Sequence, residues 1–111
     1  MTDQLSLTLA ALADPTRRAM LLKLSDGTAT VGELGAPFAL SQPAISKHIK
    51  VLERAGLISR GRLAQTRPCQ LEPGKLRELD AFMAHFRVVA ERQMDQLETY
   101  LTTLQAKGTA S

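Results

Sequence analysis

Residues 40–50 read LSQPAISKHIK. The stretch is too polar for a helix packed on all sides. Yet Ile45, Ile49 and then Leu52 recur at the three-to-four-residue spacing of a single helical face. Ser41 supplies an N-cap side chain, and Pro43 is tolerated in a first turn, where its missing N–H had no partner to lose. Gly56 suits a left-handed stop after Ala55. On a wheel of about 3.6 residues per turn, Ile45, Ile49 and Leu52 fall in a narrow arc. Pro43, Ser46, Lys47, Lys50 and Arg54 fall opposite, with Gln42 and His48 on the flanks. One side anchors; the other carries hydrogen-bonding groups and cations.

The flanking segments say what kind of helix this is. Upstream, Thr30 and Glu33 have capping-box spacing, so each can satisfy a free backbone N–H of the other. Gly35 and Pro37 end that short helix, and the brief link to Ser41 makes a helix-turn-helix pair. Before it, Asp14 caps another helix, Pro15 fits the first helical position and Gly27 closes the element. Its buried face is expected at Met20, Leu21 and Leu24, with Arg17 near the edge. A first helix is expected from about Asp3 to Ala13. Leu5, Leu9 and Leu12 share its apolar face and Leu7 widens it; the helix is too short to stand alone, so it must dock.

Downstream, LISRGRLAQTRPCQLEP (57–73) changes period. It reads as two short strands around a polar turn. Simple alternation puts Ile58, Arg60, Arg62 and Ala64 on one side and Leu57, Ser59, Gly61 and Leu63 on the other. Neither side is cleanly apolar, and Pro68 favours an edge or irregular strand. The expectation is a small exposed hairpin with outward arginines.

A long helix follows from Pro73 to about Lys107. Leu76, Leu79, Met83, Phe86, Ala90, Met94, Leu97, Leu101 and Leu104 step along it by threes and fours, as in a helix–helix seam. Such a helix spans roughly 50 Å. The remaining chain is too small to cover it, so a partner chain is the expected cover. The tail GTAS (108–111) is expected to be disordered.

The totals agree with one domain, residues 1–107, ending in that tail. At 111 residues the chain can bury one modest core. No apolar run is long enough to span a bilayer, and the first ten residues lack a signal-peptide pattern. A single cysteine, Cys69, rules out an internal disulfide and fits a reducing cytoplasm. Between Ser41 and Leu71 six Lys/Arg face one acid, Glu53, while the rest of the chain is slightly acidic. A basic block on a near-neutral protein is the footprint of a nucleic-acid binder.

The polar side of residues 41–54 has the chemistry for a DNA major groove. Gln can bond adenine through both amide groups, Lys can reach guanine or phosphate, and Ser can donate or accept. The helix N-terminus offers free N–H groups to a phosphate. A helix-turn-helix followed by a basic hairpin is a winged helix-turn-helix. The expected class is therefore mostly α with a small β-hairpin, in the order α-α-α-α-β-β-α.

Four segments, LADPTRRAMLLKL (12–24), TVGEL (30–34), LSQPAISKHIKVLERAGLISRGR (40–62) and LEPGKLREL (71–79), resemble in this order the ArsR/SmtB family of bacterial repressors. The resemblance runs from about Leu9 to Leu101. It implies a homodimeric DNA-binding repressor paired through its first and last helices, so Leu5, Leu9, Leu12, Met83, Phe86, Ala90, Met94, Leu97 and Leu101 become interface candidates. It also places Ser41, Gln42, Ser46, Lys47 and His48 in the recognition helix, and Arg62, Gln65 and Arg67 in the wing. With Pro43 and Lys50 from the wheel, these are the candidate DNA-binding residues on double-stranded DNA.

The family's metal sites do not carry over. Where one uses an ELCVC-like motif this chain reads ELGAPF (33–38), and where another uses D-x-H, Asp80 is followed by Ala81 and Phe82, with no histidine after His85. The expectation is no metal and no cofactor. No Ser-His-acid set or phosphate loop is present, and Asp80 with Glu78 or Glu91 makes no acid–base pair, so no enzyme is expected. Three other roles stay open. Cys69 is a redox switch if its pKa is lowered. Phe82, Met83, Phe86 and Met94 frame a pocket for a small apolar effector. The fold serves as a protein-interaction module if its stripe takes a foreign helix.

Overall fold

Four helices begin on capping side chains. The computed structural model, which describes residues 3–62 and 67–109, has α1 at Gln4–Leu12, α2 at Pro15–Leu24, α3 at Val31–Gly35 and α4 at Gln42–Arg54. Asp3, Asp14, Thr30 and Ser41 are their N-caps, each accepting from the backbone N–H three residues on. Thr30 and Glu33 close the full capping box: Glu33 N–H donates to Thr30 Oγ1 at 3.2 Å, and Thr30 N–H to Glu33 Oε1 at 3.1 Å. The hairpin strands are β1, Ile58–Arg60, and β2, Cys69–Leu71. The last helix, α5, is Gly74–Thr109. It runs through Gly108, where the sequence suggested a stop; the rest of the expected tail lies outside the described residues.

The core of the first unit, which extends to Leu79, is the one the periodicity foretold. Met20, Leu21 and Leu24 of α2 pack with Ile45, Ile49 and Leu52 of α4, and Leu34 of α3 completes the cluster. Gly35 is small for a reason. A Cβ there would stand 3.0 Å from the Ile45 side chain, so glycine lets the two helices of the turn approach closely. Gly56, at φ +75°, lies in the left-handed region. Its N–H donates to Glu53 O and that of Leu57 to Leu52 O, each at 3.0 Å. This is a Schellman end, and it turns the chain sharply from α4 into the wing.

Two expectations need correction. The first concerns α1, whose buried residues are Thr8 and Ala11 rather than the leucine face. Leu12 packs partly on the core, but Leu9 stays 45% exposed. A polar bond helps the docking: Gln4 Nε2 donates to Ala55 O at 2.8 Å, while Thr8 Oγ1 donates back to Gln4 O within the helix at 3.1 Å. The second concerns the hairpin, whose base is buried rather than exposed. Leu57 and Ile58 are both buried although alternation put them on opposite sides. Leu57 belongs to the helix cap, not to the strand, so the two-residue period does not yet apply to it. The strands pair antiparallel, Ile58 with Leu71 and Arg60 with Cys69. On its other side Cys69 bridges Ala29, with backbone bonds of 2.7 and 3.1 Å. That third contact seals the base of the wing.

From Asp80 onward α5 forms the second unit. Its apolar side chains stay exposed: Met94 is 59% exposed and Leu101 49%. No helix among the described residues is long and apolar enough to cross a membrane.

Candidate nucleic-acid interface

The α4 wheel is realised in space. Ile45, Ile49 and Leu52 are sealed into the core, while Gln42, Pro43, Lys47 and Lys50 are exposed on the helix. Ser41, also exposed, spends its hydroxyl oxygen on the cap, accepting from Ala44 N–H at 3.3 Å. With Gln42 in the first turn, the exposed polar side begins where the free N–H groups and the positive end of the helix dipole lie.

The wing meets this face in one place. Ser46 and Lys50 line a cleft of about 220 Å³ together with Arg60 and Arg67 of the wing. Val31, Ile49 and Glu53 complete the lining. Three cations thus surround one acid, a local excess of positive charge suited to an anionic backbone. Arg62 is exposed but does not line the cleft, and Gln65 lies outside the described residues.

Two residues of this region have no local sequence signature. Arg60 Nε donates to the Arg67 carbonyl at 2.9 Å across the base of the wing. Arg67 itself has φ +31°, a left-handed conformation that strains a residue with a Cβ. The other is Arg17. Its guanidinium lies 3.1 Å from Nδ1 of His48, so His48 is turned toward α2 and stands only partly exposed.

The ionisable groups are ordered around the caps. The Asp14 carboxyl is held below its ordinary range, first by the Arg17 N–H that it accepts. The Thr30 N–H does the same to Glu33. Cys69 does not meet the condition for a redox switch: burial pushes its thiol pKa up, and although nearby Arg60 pulls the other way, burial dominates. A buried thiol kept protonated is a poor nucleophile, so Cys69 acts as a small core residue.

On α5, Met83, Phe86, Arg87 and Ala90 line an open apolar depression. Phe82 meets Phe86 edge-on, ring centres 5.3 Å apart, but neither Phe82 nor Met94 lines the depression as expected for an effector pocket.

Comparison with known proteins bears directly on this arrangement. A family described as a helix-turn-helix domain matches residues 12–60. A crystal structure of an ArsR family transcriptional regulator, RHA00566, superposes with a TM-score of 0.74 at 40% identity, covering 80% of this chain and 98% of that one. The chain belongs to the ArsR/SmtB family of winged helix-turn-helix regulators. It is a DNA-binding transcriptional regulator. Among curated relatives, the HTH-type transcriptional regulator Rv2034 of Mycobacterium tuberculosis is 41% identical over 76 residues, 68% of this chain and 71% of its own length. The transcriptional repressor SdpR of Bacillus subtilis is 42% identical over 55 residues, half of this chain and 61% of its own length. The helix-turn-helix match spans α2, α3, α4 and β1, the helices whose spacing the sequence had made legible among them.

Proposed function

We propose that the protein is a cytoplasmic, non-enzymatic homodimeric repressor that reads an inverted-repeat operator with α4 and the wing. The observation that carries this reading is the split of α4. Its apolar side is locked into the core, and its free side offers Gln42, Ser46, Lys47 and Lys50 beside the wing cations. Gln42, Ser46 and Lys47 are the base-reading candidates, with Pro43 and Ser41 shaping the helix start. Lys50, Arg62 and Arg67 are the phosphate contacts, and Gln65 extends the wing set.

The homodimer rests on the uncovered stripe of α5, Met83, Phe86, Ala90, Met94, Leu97 and Leu101, with Leu5, Leu9 and Leu12 of α1. Two recognition helices then enter successive major grooves about 34–36 Å apart. Repression follows from occluding a promoter that overlaps the operator, and the repressor name of SdpR supports that sense of regulation.

The test is binding of the purified protein to its own upstream DNA across a salt series, paired with a reporter driven by that promoter. Affinity that falls steeply with salt and a reporter that falls on expression are expected. Binding insensitive to salt, or a reporter that rises, contradicts the proposal.

A further inference from the structure

Arg17 is where α1, α2 and α4 meet. Its Nε donates to Ala11 O at 2.7 Å and one terminal nitrogen to Ala10 O at 2.9 Å, closing the last turn of α1. The other terminal nitrogen lies 3.1 Å from His48 Nδ1 on α4. A guanidinium only donates, and it stays protonated. Nδ1 must therefore present its lone pair, and the neutral ring carries its proton on Nε2.

One group competes for Nδ1. Asp14 Oδ2 stands 3.9 Å away, which is beyond hydrogen-bond reach, whereas 3.1 Å is within it. The shorter contact decides the tautomer. Among the described residues Nε2 has no hydrogen-bond partner, and no buried side-chain nitrogen or oxygen lacks one. Nε2 therefore opens to solvent on the flank of the recognition helix.

We propose that Arg17 is a positioning residue for DNA recognition: it fixes His48 as the Nε2–H tautomer, so that the ring offers DNA a neutral hydrogen-bond donor. The inference rests on α4 being the reading helix. It assigns His48 a donor's role rather than a cation's. It also gives the Arg at the end of α2's first turn a task that neither its own helix nor the charge count implies. Together with Gln4, which holds the C-cap of α4 at Ala55 O, the same guanidinium ties α1 to the reading helix.

The test has two arms. In the first, ring ¹⁵N NMR of the full chain reads the tautomer without DNA; the chain has only two histidines, and His85→Asn assigns them. The wild-type His48 ring should carry its proton on Nε2, and Arg17→Met should give a tautomer mixture. In the second, affinity for a selected operator is measured beside affinity for random DNA. His48→Ala should weaken operator binding about tenfold and leave random DNA unchanged. His48→Gln, whose amide replaces the donor at the Nε2 position, should stay near wild type. Arg17→Met should weaken operator binding, and in the double variant with His48→Ala the losses should not multiply, because both remove one donor.

Because Arg17→Met also strips the end of α1, its folding is checked by melting. Arg17→Lys and the His48 pair keep the test decisive if Arg17→Met unfolds. A wild-type ring protonated on Nδ1, or a His48→Gln variant as weak as His48→Ala, overturns the proposal. Failure of the underlying DNA reading looks different: the Nε2–H signal persists while Lys47→Ala and Lys50→Ala leave operator binding unchanged.

Discussion

Leu52 and Leu101 are the same side chain on the same kind of surface, the apolar stripe of an amphipathic helix. Leu52 of α4 is fully buried, whereas Leu101 of α5 keeps 49% of its surface exposed. The contrast separates two messages that a hydrophobic stripe carries. Periodicity says that a face is to be covered; it does not say by which chain. In α4 the cover is the chain's own, from α2, α3 and the base of the wing. In α5 past Asp80 no described segment supplies it, and a second copy is the proposed cover.

The comparison breaks first at its buried end. Leu52→Ala empties a space that rigid neighbours cannot refill, so it should cost about 2–5 kcal/mol of folding stability. Urea unfolding checks this, and a cost below 1 kcal/mol would mean that the α4 core is looser than its burial implies. At the exposed end, Leu97→Glu with Leu101→Glu should leave the first unit folded but halve the mass in solution. Retention of the dimer mass would place the partner surface elsewhere.

On the reading face, Lys50→Ala should weaken all DNA sequences alike and lower the salt slope by about 1. Gln42→Ala should instead cost roughly 1–3 kcal/mol of discrimination at one base pair. Arg67→Gly separates charge from strain. It should weaken DNA binding while holding or raising the melting temperature, because glycine accepts the positive φ without penalty. A melting temperature that falls would mean that the Arg67 side chain contributes more to the wing than its strain costs.

The smallest effect concerns acid. Asp14 and Glu33 have folded-state pKa values depressed by the backbone N–H groups that they accept. Their stabilisation is complete above the ordinary carboxylate pKa and is lost as pH falls through the depressed folded value. Melting should therefore decline below about pH 4, and Asp14→Asn should flatten that decline.

Much of the fold was legible because it is written locally. Asp14, Thr30 and Ser41 announce helix starts, Gly56 announces a stop, and the core faces of α2 and α4 follow a 3.6-residue period. What escaped depends on contacts between distant residues. Thr8 and Ala11 are the buried residues of α1, and Gln4 reaches Ala55, so no leucine stripe marks that face. Ala29 pairs with Cys69 across forty residues of chain, which hides the sealed base of the wing. Arg17 and Arg60 donate to carbonyls, and every residue except its own neighbours offers the same acceptor. The polar face of α4 was readable, since it is the complement of a buried arc. The cleft that joins it to Arg67 needed the folded wing.

Selection of bound sequences from a random DNA pool tests the central claim most directly, because it asks at once whether α4 reads bases and whether two copies read together. The expected result is an enriched inverted repeat with half-site centres about one helical turn, 10–10.5 base pairs, apart. A pool that stays random, or a single unpaired half-site bound by a monomer, would contradict it.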